Sequence, residues 1–186
     1  MALIYEKKKY TYQDYCQLPK EVRAEILEGE LVMSPSPFRK HQRISREIEF
    51  RLCQWVEKHH LGEVYDAPFD VVLSPHNIVQ PDLLYISKER QELLTEANVQ
   101  GAPDLIIEIL SSKDKKRDTI TKKAIYEKYG VKEYWVVDPD AEVVSVFILE
   151  GDVFKKREIY TRNQILKSAF LPGFSLMLEE IFKAVK

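Results

Sequence analysis

Three residues in this chain have types and surroundings that could do chemistry together: Asp82, Glu108 and Lys122. Asp82 follows Pro81 at the entrance to the apolar run Leu83–Ile86. Glu108 interrupts the otherwise apolar run Leu105–Leu110, which has the composition of a strand buried on both faces. An ionised carboxylate there is costly unless a cation or hydrogen bonds compensate it. Such a conflict between burial and charge is expected at a functional site. Two acids on adjacent strands could share a hard divalent cation, Mg²⁺ or Mn²⁺, which takes oxygen ligands from one or two carboxylates, water and phosphate. A lysine alongside could orient an attacking water and steady charge developing on a phosphate.

Helical geometry selects the lysine. The segment after Glu108 reads as a helix over residues 114–129. At about 100° per residue, Lys122, Ile125 and Tyr129 fall within about 40° of Asp118, whereas Lys116 and Lys123 point about 140° or more away. Lys122 therefore shares a stripe with residues that must pack on the sheet, and Asp118 one turn earlier can pair with it. Ser111 or Ser112 can cap this helix and set its positive end beside Glu108, an end that also welcomes phosphate.

The remaining elements must bring these residues together. Residues 10–18 read as a short helix capped by Thr11 and ended by Pro19. Ala24–Leu27 and Glu30–Met33 flank Glu28-Gly29 as a hairpin. Ile44, Ile48, Leu52, Trp55 and Val56 recur at helical spacing between residues 38 and 60, with Gly62 as the stop. Residues 63–73 and 78–86 read as two strands joined by Ser74-Pro75-His76-Asn77, and residues 88–98 as a short polar helix or loop. A strand over residues 133–138, a hairpin about Glu150-Gly151-Asp152 and a small terminal helix near residues 178–185 complete the chain. The expected class is α/β, bordering on α+β: a mixed sheet flanked by helices, with an amino-terminal hairpin. Parallel pairing is expected only where the helix at 114–129 links two strands.

Length and composition fit that picture. A chain of 186 residues supports one well-cored domain, residues 1–186. A net charge of −2 excludes a globally basic nucleic-acid binder but leaves room for local basic patches, such as Lys113–Arg117 or Lys155-Lys156-Arg157. The opening MALIYEKKKY lacks a signal-peptide core, and no apolar run is long enough to span a bilayer. Cys16 and Cys53, far apart and outside any CxxC unit, suit reduced thiols in a cytoplasm.

The order of motifs resembles the Uma2 family (also called DUF820) of the PD-(D/E)XK, restriction-endonuclease-like superfamily. The resemblance runs through Glu25-Ile26-Leu27-Glu28-Gly29-Glu30-Leu31, Ser34-Pro35 with His41 downstream, and Gln80-Pro81-Asp82. It continues through Gly101-Ala102-Pro103-Asp104, Glu108-Ile109-Leu110-Ser111, Asp118, Lys122, Tyr126, Gly130–Trp135 and Asp138-Pro139. It implies a restriction-endonuclease-like fold, with Asp82 and Glu108 as metal-binding acids and Glu25 as the extra amino-terminal acid of many superfamily members. His41 then lies at the cleft, with Asp118 and Gln80 in support. The superfamily pattern has its lysine two residues after the second acid, where this chain has Leu110; Lys122, on the next helix, takes that place.

The resemblance thus implies a Mg²⁺- or Mn²⁺-dependent endonuclease acting on nucleic acid, DNA foremost. It would be cytoplasmic, independent of membranes, and suited to a homodimer that cuts both strands. Two other functions compete: a non-catalytic binding module on the same fold, and a hydrolase of a small phosphorylated molecule. Each site residue also has a structural reading. Asp82 could cap a strand entry, Glu108 pair with a lysine or arginine, Lys122 with Asp118, and His41 and Glu25 lie at the surface.

Overall fold

A computed structural model describes residues 8–19, 21–34, 36–111 and 117–183. Thr11 caps α1 (Tyr12–Tyr15) through a capping box with Asp14. The hairpin β1 (Ala24–Leu27) and β2 (Glu30–Met33) turns on Glu28 and Gly29, both at positive φ. The long helix α2 (Arg39–His59) buries Ile44, Ile48, Leu52 and Val56, a single stripe at four-residue spacing. It ends on His60, which adopts the left-handed conformation that Gly62 was expected to supply. Gly62 instead opens the next strand, where a Cβ would lie 2.1 Å from the Ile86 carbonyl oxygen.

The two strands expected over residues 63–73 and 78–86 are four. They are β3 (Gly62–Asp66), β4 (Asp70–Ser74), β5 (Asn77–Val79) and β6 (Leu83–Ser87). Pro68 lies in the first break and Pro81 in the second, where a missing N–H cannot serve a ladder. The breaks pass the chain between two sheets. A 3₁₀ segment, Lys88–Leu93, precedes the short strand β7 (Asn98–Gln100), which the polar composition had concealed. Then come β8 (Leu105–Ile109), a π-helical turn over Arg117–Lys122, α3 (Lys123–Tyr129) and β9 (Glu133–Asp138). The chain closes with β10 (Val143–Glu150), β11 (Val153–Thr161), β12 (Ile165–Lys167), β13 (Ser175–Met177) and α4 (Leu178–Ile181).

One sheet has the order β2-β1-β5-β4-β7, a second β11-β10-β9-β8-β6-β3, and β12 pairs with β13. The expected parallel pair across the 114–129 segment is β8 with β9, Leu105 opposite Glu133. A second parallel pair, β4 with β7, lies in the other sheet. Two apolar cores flank the six-stranded sheet. Leu105, Ile107 and Ile109 pack with Ile44, Ile48, Leu52 and Val56 of α2. Ile106 and Leu110 pack on the opposite side with Ile125 and Tyr126 of α3. By strand alternation Glu108 faces that second core. Tyr134 and Trp135 are wholly buried, filling one core each as expected.

Candidate active site

The site lies where the chain passes from one sheet to the other. β5 ends at Val79 and β6 begins at Leu83, so Gln80, Pro81 and Asp82 form the corner between them. Leu83 pairs with Ile107 in antiparallel register, and one step further Asp82 stands opposite Glu108. Pairing of Ile26 with Ile78 brings β1, and with it Glu25, against the same corner.

Lys122 ties the acids together. Its Nζ is 2.8 Å from Glu25 Oε1 and 2.8 Å from Glu108 Oε1. The Tyr126 hydroxyl donates to Glu108 Oε1 at 2.6 Å. Glu25, Glu108, Lys122 and Tyr126 are 1%, 3%, 3% and 0% exposed, so this is a buried ionic cluster rather than a surface pair. Burial, reinforced by the carboxylates of Glu108 and Glu25, holds the Tyr126 phenol well above its ordinary pKa, and it stays a donor at neutral pH.

Main-chain donors aim the other two acids. Glu25 Oε1 accepts the Gln80 N–H at 2.8 Å. Asp82 Oδ2 accepts the Ile109 N–H at 2.7 Å and lies 3.0 Å from His41 Nε2. Asp82 and His41 are the more open members, their side chains 19% and 12% exposed. The His41 Nδ1 atom is buried without a hydrogen-bond partner.

The structure therefore gathers Asp82, Glu108, Lys122, Glu25 and His41 into one hydrogen-bonded constellation. Gln80 joins it through its backbone, while its side-chain amide turns to Asp70 Oδ1 at 2.8 Å and to the Tyr15 hydroxyl at 3.1 Å. The Asp118 side chain and Ser112 lie outside the described residues. The expected Asp118–Lys122 spacing assumed α-helical geometry, whereas Arg117–Lys122 is a π turn, so the one-turn offset does not apply there. Sequence reasoning assigned no role to Tyr126, the Ile109 N–H, or the Tyr15–Asp70 pair behind Gln80. Tyr126 had a visible signal: it lies four residues after Lys122 and hence on the same helix face.

Formal charge tests whether these residues suit a divalent cation. Three carboxylates converge with one ammonium, leaving two formal negative charges in a largely buried place, as a divalent cation requires. Among the described residues no group of three or more His, Cys, Asp or Glu is arranged as a metal cage. Mg²⁺ does not need one, because it is commonly held by one or two carboxylates and the phosphates of its substrate. Asp82 and Glu108 fit that role.

The two mixed sheets, the helices on them and the acid–lysine cluster at their junction define a nuclease-like α/β fold. The chain is similar to a solved structure described as "Crystal structure of a putative nuclease belonging to DUF820 from Anabaena variabilis ATCC 29413". The TM-score is 0.78 at 21% identity, over 92% of this chain and 97% of that one, and the likeness shows the fold. The chain belongs to the Uma2 family, described as "Putative restriction endonuclease", which matches residues 11–179. No curated protein matches the chain.

Proposed function

We propose that this protein is a divalent-metal-dependent endonuclease that hydrolyses phosphodiester bonds in nucleic acid, DNA foremost, as one domain spanning the chain. The observation that carries this reading is the meeting of Asp82, Glu108, Glu25 and Lys122 at the corner between two sheets. Mg²⁺ or Mn²⁺ held by Asp82 and Glu108 would polarise the scissile phosphate and acidify its water. Lys122 supplies a fixed positive charge where negative charge grows during hydrolysis. Tyr126 and Glu25 keep that amine and Glu108 in place, so no side chain must reorganise as the reaction proceeds. His41 and the Ile109 N–H orient the Asp82 carboxylate.

The test is nicking of supercoiled plasmid DNA, with parallel single-stranded DNA and RNA substrates, in Mg²⁺, Mn²⁺ or EDTA. Cleavage that EDTA abolishes is expected. Lys122→Met should lower kcat by about 10²–10³, and Asp82→Asn should remove both cleavage and the heat of Mn²⁺ binding. Undiminished cleavage by Asp82→Asn would refute the assignment. The same reading places the protein in the cytoplasm, and two copies about a two-fold axis would address both strands of a duplex. No helix among the described residues is long and apolar enough to cross a membrane.

One observation favours a second reading, a non-catalytic binding module: the Lys122 amine already compensates both Glu25 and Glu108. In that case Mn²⁺ titration gives no carboxylate-dependent heat.

A further inference from the structure

The amino-terminal turns of α2 carry Arg39, Lys40 and Arg43, and with Lys183 they rim a hollow of about 320 Å³. Ile44, Ile181 and Phe182, all nearly buried, form its floor. Four cations thus gather on one face of a protein whose net charge is −2. The one acid on the rim, Glu142, is held by Arg162 at 3.1 Å. Lys40 reaches Asp140 at 3.4 Å, but both side chains are more than half exposed, and such a pair exchanges readily for another anion.

The position of this basic face matters as much as its charge. His41, between Lys40 and Arg43 in the chain, is the residue that touches Asp82. The Cα atoms of Lys40 and Arg43 therefore lie within about 6 Å of that of His41. Glu25, Glu108 and Lys122 are nearly sealed, so Asp82 and His41 are the members of the cluster most open to solvent. A polyanion approaching the more open side of the site meets this face of α2.

We propose that Arg39, Lys40, Arg43 and Lys183 form the track that grips the phosphodiester backbone of the nucleic acid beside the bond to be cut. This rests on the nuclease reading for the word "cut", but the binding surface is tested without cleavage. The hollow's floor offers buried aliphatic and ring carbon rather than base-reading donors, so the grip is on phosphate and blind to sequence.

The test is fluorescence anisotropy in EDTA with a labelled duplex DNA, and with the same sequence as single-stranded DNA and as RNA, across a salt series. Two variants remove charge independently: Arg39→Gln with Arg43→Gln, and Lys40→Gln with Lys183→Gln. Lys58→Gln removes one charge about 26 Å along the helix axis from His41 and serves as the control. Each double variant should weaken binding about ten-fold and flatten the salt slope by about two, with Mn²⁺ binding and thermal stability unchanged. The three probes show which form of the backbone is held most tightly.

Equal binding by the double variants and Lys58→Gln would overturn the proposal, as would failure of the unaltered protein to bind any of the three probes. Intact cleavage alongside unaffected binding would sink this surface and spare the nuclease reading. Charge-dependent binding with no cleavage in Mg²⁺ or Mn²⁺ would do the reverse.

Discussion

Lys122 is the residue whose removal the protein can least absorb. Replacing it with methionine strands Glu25 and Glu108, 1% and 3% exposed, without their shared cation. Breaking a buried ion pair from one side costs about 3–5 kcal/mol, and urea denaturation should show a loss of that size. Glu108→Gln should cost less, because Lys122 keeps Glu25 as a partner; the order of the two variants is the check. Asp82 is more open, and Asp82→Asn should leave the urea midpoint near that of the unaltered protein while removing the ion-binding heat. Glu108 and Lys122 were legible in the sequence because each is a charged residue inside an apolar pattern of definite period. Glu25 was not legible from its surroundings, since the pairing of Ile26 with Ile78 that delivers it spans fifty residues of chain. Only the likeness to a family singled it out.

At the scale of elements, Asn77 joins three of them. Its Oδ1 accepts the Glu28 N–H in the β1–β2 turn at 2.9 Å, and its Nδ2 donates to Ser74 Oγ and to the Tyr129 hydroxyl at the end of α3. Asn77→Ala leaves these groups without their shared partner in a place that is only 2% exposed. A destabilisation of about 2–3 kcal/mol is expected by urea denaturation. Most elements were readable: the β1–β2 hairpin from Glu28-Gly29, the stripe of α2 from its aliphatic spacing, β8 from its apolar run. The breaks at Pro68 and Pro81 were not read as changes of sheet. A proline shows that a ladder stops, but the partner of the next strand is set by contacts remote in sequence. The π turn was equally hidden, because hydrophobic period alone does not separate it from an α-helical turn.

For the whole molecule, buried phenols set an upper pH limit. Burial, with the Asp104 and Glu89 carboxylates nearby, pushes Tyr85 up to about 12. Burial likewise raises Tyr126 and Tyr15, the latter beside Asp70. A raised pKa means that the folded protein holds these protons more tightly than the unfolded chain does. Their contribution is complete below the ordinary tyrosine value of 10 and is lost as pH climbs through 12. Urea midpoints measured from pH 9 to pH 12 should fall over that window. Absorbance at the phenolate band should show these tyrosines ionising together with unfolding.

Two of the three acids are aimed by peptide N–H groups, from Gln80 and from Ile109. The instruction for pointing Glu25 and Asp82 is therefore written in the path of the main chain and not in the identity of the side chains at those positions. Almost any residue at 80 or 109 can deliver the same alignment, and proline alone withholds it. Gln80→Ala and Gln80→Pro, set side by side, would distinguish a site steered by its scaffold from one steered by its neighbours.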